Sequence, residues 1–145
     1  MKVLLQRSLA ASVKVNGNTV GEIESGLVLL VGIQKHDCTQ TLTKMADKVL
    51  AYRVFNDNEG KMNLNVQQVQ GGVLAISQFT LAADTNKGLR PSFSSAAPPV
   101  LAETLYDAFV DLLRERHTSV ATGIFAADMK VSLINDGPVT FLLET

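Results

Sequence analysis

The strongest constraint on this chain is a continuous apolar run, Leu27 to Ile33, with no polar residue to alternate against. Such a run reads as a strand buried on both faces, which needs cover from two sides. Val73 to Ile76 is a second run of the same kind and ends at Ser77-Gln78-Phe79-Thr80. Val3 to Val15 and Thr19 to Ile23 are rich in apolar and β-branched residues, and Asn16-Gly17 joins them. Asn-Gly tolerates positive φ at both positions, so this pair predicts a hairpin.

Two helices are predicted between the strands. Asp37 is placed to cap the first, with Gln40 as the reciprocal partner, and Leu42, Met45, Ala46, Val49 and Leu50 recur at helical spacing. Pro98-Pro99 opens the second, whose predicted buried stripe is Leu101, Leu105, Phe109, Leu112 and Leu113. Leu81 to Ala97 has no period and reads as an ordered loop, and Asp57-Asn58-Glu59-Gly60 as a turn. Strands are expected from about Ile124 to Ile134 and from Val139 to Glu144. Asn135-Asp136-Gly137-Pro138 between them is turn chemistry, yet Pro after Gly removes a donor where a returning strand should begin pairing. The whole reads as an α/β protein with much antiparallel pairing and helices to one side, in one domain spanning 1–145.

Composition excludes several classes of function. The net charge is −1 over 145 residues, which argues against coating nucleic acid but not against grasping one RNA end with a local patch. No apolar run is long enough to span a bilayer, and Gln6 and Arg7 interrupt the only start that resembles a leader, so a cytoplasmic protein is expected. A single cysteine, Cys38, leaves no disulfide framework and no multi-cysteine metal site. Metalloprotease, phosphate-loop and nucleophile-elbow motifs are absent. The two histidines, His36 and His117, flank helix ends and read as surface residues, and adjacent His36 and Cys38 are poorly placed to act together.

The remaining chemistry lies at Ser77-Gln78-Phe79-Thr80. Strand ends are common ligand positions in α/β proteins, and backbone amides there can hold an oxyanion with Thr80 adding a hydroxyl. Local strand termination by the same hydroxyls is the plainer reading. Arg7 is a charge inside an apolar strand and must face water or find a partner. Arg90-Pro91-Ser92-Phe93, with Lys87, is a loop with two cations that suits a phosphate or simply solvent.

With these stretches in view the sequence resembles the D-aminoacyl-tRNA deacylases, also called D-tyrosyl-tRNA deacylases. The resemblance rests on Ser77-Gln78-Phe79-Thr80-Leu81 and on Asn135-Asp136-Gly137-Pro138-Val139-Thr140-Phe141. Gln6-Arg7 followed by Ala11-Ser12-Val13, Gly60 to Val66, Arg90 to Phe93 and Ala126 to Met129 agree with it, while Ser8 stands where an apolar residue is expected. The resemblance implies a three-layer α/β/β fold with largely antiparallel, barrel-like sheets and two main helices. It implies hydrolysis of the ester between a D-amino acid, or glycine, and the 3′ end of tRNA, with no metal or organic cofactor. It implies a homodimer with active sites at the interface, into which Gly137-Pro138, as a cis pair, is supplied by the other subunit. On this reading Ser77, Gln78, Phe79 and Thr80 carry the chemistry, whereas Gly137 and Pro138 perform chiral selection. Arg7 is expected to hold the Gly137-Pro138 turn, with Phe125 and Met129 packing nearby. The alternatives are a non-catalytic RNA-binding domain of the same fold and a general esterase indifferent to tRNA and chirality.

Overall fold

The computed structural model describes residues 1–86 and 88–145; Lys87, one of the two loop cations, lies outside them. A long first strand, β1 (Lys2–Val15), is the hub of a six-stranded sheet. Its first half, Lys2 to Ser8, pairs antiparallel with β3 (Gly26–Gly32), and its second half, Ala11 to Val15, with β2 (Asn18–Ile23). The predicted hairpin is present: Asn16 and Gly17, with φ of 50° and 80°, turn the chain between β1 and β2.

Two parallel pairings follow, and each needs a crossover. Helix α1 (Thr39–Ala51) lies between β3 and its parallel partner β6 (Gly72–Ser77), after a small hairpin of β4 (Phe55–Asn56) and β5 (Met62–Leu64). Helix α2 (Pro99–Arg116) lies between β6 and β7 (Val120–Thr122), again parallel. The sheet is nearly closed into a barrel, because β2 curls back against β7: a Cβ on Gly21 would fall 2.2 Å from the Thr122 carbonyl oxygen.

The apolar runs are buried on both faces, as their composition requires. Leu27, Leu29 and Val31 of β3 join Val73 and Ala75 of β6 in a core with Leu42, Met45 and Val49 of α1 and Phe109 and Leu113 of α2. Val28, Leu74 and Ile76 point the other way, into a second core with Val13 and Ile23 inside the curled sheet. Among the described residues no helix is long and apolar enough to cross a membrane.

Local expectations needed correction at four places. Helix α1 is capped by Cys38, whose N–H donates to Thr41 Oγ1 at 2.8 Å, because Asp37 is taken by the Met1 ammonium at 2.5 Å and the Gln34 N–H at 2.7 Å. The buried stripe of α2 is rotated to Ala102, Tyr106, Phe109, Val110 and Leu113, leaving Leu101 exposed. His117 is buried, its Nε2 2.7 Å from the Gly71 carbonyl oxygen, while His36 is exposed as expected. The last two strands are not a hairpin. A single strand, β8 (Lys130–Glu144), runs antiparallel along β1 from Lys14↔Lys130 to Lys2↔Glu144. Asp136 to Val139 is an excursion within that strand, since both of its flanks, Asn135 and Thr140, pair with β1.

Tyr106 explains part of the rotation of α2. Its hydroxyl donates to the Ala75 carbonyl of β6 at 2.9 Å, and its ring lies 6.0 Å from that of Phe125. Burial, reinforced by Asp107, pushes this phenol up to about 12. The raised folded value means stability is intact below the unfolded value near 10 and is lost as pH rises toward 12. Tyr106→Phe is expected to cost about 1 kcal/mol at neutral pH. It should also flatten the fall in urea midpoint between pH 10 and 12, measured as a pH series against the parent.

Candidate active site

Strand β6 delivers Ser77 to its C-terminal end, where the Gln78 N–H is spent on the Val31 carbonyl at 2.7 Å. The chain then turns through a short 3-10 segment, Phe79–Ala82, closed by Leu81 N–H to the Gln78 carbonyl. The Phe79 and Thr80 N–H groups open this turn, where a helical segment has no internal acceptors for them. Gln78 Nε2 donates to Thr80 Oγ1 at 2.5 Å, so the Thr80 hydroxyl keeps its own proton for another acceptor.

Beside this turn is a cleft of about 470 Å³. Ser77, Gln78 and Phe79 form one wall, Ala97, Pro99 and Ala102 at the start of α2 another, and Phe125 to Met129 a third. Tyr106 supports Phe125 from behind, and Met129 is anchored at the edge of the second core. Thr80 is exposed and meets the cleft only through Gln78. At the outer rim Phe79 packs on Phe93 with ring centroids 5.1 Å apart, both rings exposed. The loop after Thr80 is ordered by reciprocal backbone bonds between Asp84 and Ser92 and by Ser95 Oγ to the Ala82 carbonyl. Arg90 on it is exposed.

Arg7, Gly137 and Pro138 form a separate group that does not line this cleft. The Arg7 side chain is buried. Its Nε lies 3.0 Å from Asp136 Oδ2 and donates to the Asp136 carbonyl at 3.2 Å, and its Nη1 donates to the Val54 carbonyl at 2.6 Å. The charge in the apolar strand thus has partners on β8 and on the segment leading into β4. The Gly137–Pro138 peptide bond is cis, and both residues are exposed. Phe125 and Met129, expected beside Arg7, stand instead in the cleft wall with Ser77. A larger open hollow of about 850 Å³, between the β1–β2 hairpin, the start of β8 and Val69 to Gly72, is lined by none of the predicted site residues. Cys38 does not line either space.

Sequence reasoning missed Asp136, Val54 and Asn56 as partners of Arg7, and Gln6, Ser8, Asn135 and Thr140 around the excursion. Only Asn135 and Asp136 carried a local signal, as turn residues.

The family model described as D-Tyr-tRNA(Tyr) deacylase matches residues 4–144. A relative from Saccharophagus degradans named D-aminoacyl-tRNA deacylase is 71% identical over 99% of both chains. Another of that name from Cellvibrio japonicus is 64% identical over 97% of both. The solved structure of a protein described as c-Myc DNA unwinding element binding protein superimposes with a TM-score of 0.96 at 39% identity, covering 100% of this chain and 99% of that one. With its strand-end cleft, its two signature stretches and full-length similarity of this order, the chain belongs to the D-Tyr-tRNA(Tyr) deacylase family.

Proposed function

We propose that this chain hydrolyses the ester joining a D-amino acid, or glycine, to the 3′-terminal ribose of tRNA, acting in the cytoplasm as a homodimer. Gly137-Pro138 of each subunit enters the cleft of the other. The observation that carries this reading is the separation of the two halves: Gly137-Pro138 is exposed on a firmly held support yet absent from the cleft of its own chain. Exposed Val131, Ile134, Phe141 and Leu142 on β8 add apolar surface of the kind that protein contacts cover.

An aminoacyl ester is already activated, so positioning and charge stabilisation suffice without histidine or a metal. Water adds to the ester carbonyl, and the oxyanion accepts hydrogen bonds from the Phe79 and Thr80 N–H groups. Collapse expels the ribose 3′ oxygen, which takes up a proton, leaving free amino acid and tRNA. Ser77 shapes the wall, and Gln78 orients the Thr80 hydroxyl, which orients the water. The Gly137 and Pro138 carbonyls grip the substrate ammonium and occupy the space an L side chain needs, so glycine, which has no side chain, passes.

Deacylation of matched D-, L- and glycyl-tRNA tests this directly. Equal D and L rates, or no turnover of any, would overturn it, as would a strict monomer in sedimentation. Thr80→Ala is expected to keep kcat within about tenfold of the parent; a loss of about a hundredfold to ten-thousandfold would give the Thr80 hydroxyl an obligatory chemical role, as a nucleophile.

A further inference from the structure

The excursion that carries Gly137-Pro138 is built by a mismatch in the β1–β8 ladder. Gln6 pairs with Thr140 and Ser8 with Asn135, two steps along β1 against five along β8. Asp136 to Val139 lie between these pairs with only Arg7 opposite them; Gly137 and Pro138 are exposed, while Val139 turns back into the core. Three consecutive residues of β1 grip the excursion. Gln6 Nε2 donates to Thr140 Oγ1 at 3.1 Å at one foot, and Arg7 reaches Asp136, which adjoins the other. At the other foot the Ser8 hydroxyl lies 3.1 Å from the Ile134 carbonyl oxygen and 2.8 Å from that of Ala10. Ser8 is fully buried, where a hydroxyl is held only at the expense of apolar contact unless it has partners. Asn135 then closes the base of the excursion. Its Oδ1 accepts the Val139 N–H at 3.0 Å, and its Nδ2 donates to Thr140 Oγ1 at 2.9 Å.

We infer that Ser8 and Asn135 are positioning residues that set how strictly the Gly137-Pro138 excursion discriminates between substrates. The inference rests on the selection reading above and adds its mechanical condition. Rejection by a clash fails if the obstacle yields, so the ratio of D to L turnover is bounded by the free energy needed to displace the excursion. Asn135 is a crossbar between its two feet, and Ser8 ties the strand just ahead of the Asp136 that Arg7 holds. Neither touches the cleft.

The test compares Asn135→Leu, Asn135→Asp, Ser8→Ala and Gly137→Ala with the parent, using matched D- and L-aminoacyl-tRNA and hydrogen exchange at the Val139 amide. Asn135→Leu and Ser8→Ala are expected to lower the D-over-L ratio roughly ten- to a hundredfold, the scale of a displacement near 1 Å. The change should come mainly through faster L turnover, with faster exchange at Val139 in Asn135→Leu. Asn135→Asp should keep the parental ratio, because a carboxylate still accepts the Val139 N–H and the Thr140 hydroxyl can turn its proton toward it. A parental ratio in folded Asn135→Leu, or an equal fall in Asn135→Asp, overturns the inference alone. A parental ratio in Gly137→Ala overturns the selection reading and the inference with it. Where Ser8→Ala does not fold, the pair of Asn135 variants decides.

Discussion

Gly137→Ala is expected to lower kcat/KM for D-aminoacyl-tRNA by about a hundredfold or more, the effect of misplacing a positioned group by roughly 1 Å. At φ 131° an L side chain is badly strained. The new Cβ would fall 2.6 Å from Val139 Cγ2, 3.0 Å from the Val139 nitrogen and 3.3 Å from Arg7 Nη2. Two of these neighbours belong to Val139 of the excursion itself, and the third is on a buried guanidinium held through its Nε and Nη1. Relief therefore moves Gly137-Pro138 itself. Because the residue is exposed, the fold should survive, at a cost of about 1–3 kcal/mol. Steady-state deacylation alongside a thermal melt separates the two effects, and a folded variant with parental kcat/KM would remove Gly137 from substrate selection.

Arg7→Leu carries the largest expected loss of stability outside the apolar core, about 2–3 kcal/mol by urea unfolding. The substitution strips the Val54 carbonyl of its 2.6 Å donor and leaves the Asp136 carboxylate facing an apolar side chain. The Asp136 side chain is 41% exposed, so water compensates much of that second loss, and the buried carbonyl dominates. The deficit should accordingly change little between low and high salt. Arg7→Lys should recover only part of it, since one ammonium cannot reach Val54 and Asp136 with the same planar fork. A deficit that disappears in salt would mean the ion pair is the main contribution.

The parts of the fold that were readable in advance are those whose determinants are local. Asn16-Gly17 needs positive φ wherever it occurs, and the apolar runs of β3 and β6 need burial on both faces whatever covers them. The α2 stripe was misjudged because apolarity alone favours Leu101 over Ala102 and Tyr106. Tyr106 became a core residue only because Ala75, 31 residues away, offers its hydroxyl an acceptor. His117 was drawn inward by Gly71 in the same way. Asn135-Asp136-Gly137-Pro138 shows the limit most clearly. Its turn chemistry is the same whether the chain reverses or steps out and returns to the same partner, and that choice is made by β1, more than a hundred residues earlier. Within the candidate site, Ser77 to Phe79 meet Phe125 and Met129 as neighbours in one wall system. The partners of Arg7 could not be foreseen, since the Val54 and Asp136 carbonyls are backbone groups that no side chain announces, and the Asp136 carboxylate lies 129 residues along the chain.

The pairing of β1 with β8 has a consequence for biosynthesis. β1, made early, is completed by β8, made more than a hundred residues later, with register contacts such as Val3↔Leu143 spanning almost all of the described residues. Until then the nascent chain presents an open, apolar strand edge, the form most prone to associate with other chains. Pairings of such long range also fold slowly. The same pairing that seals this edge shapes the Gly137-Pro138 excursion, so the chain cannot form that exposed feature before it has finished protecting itself from aggregation.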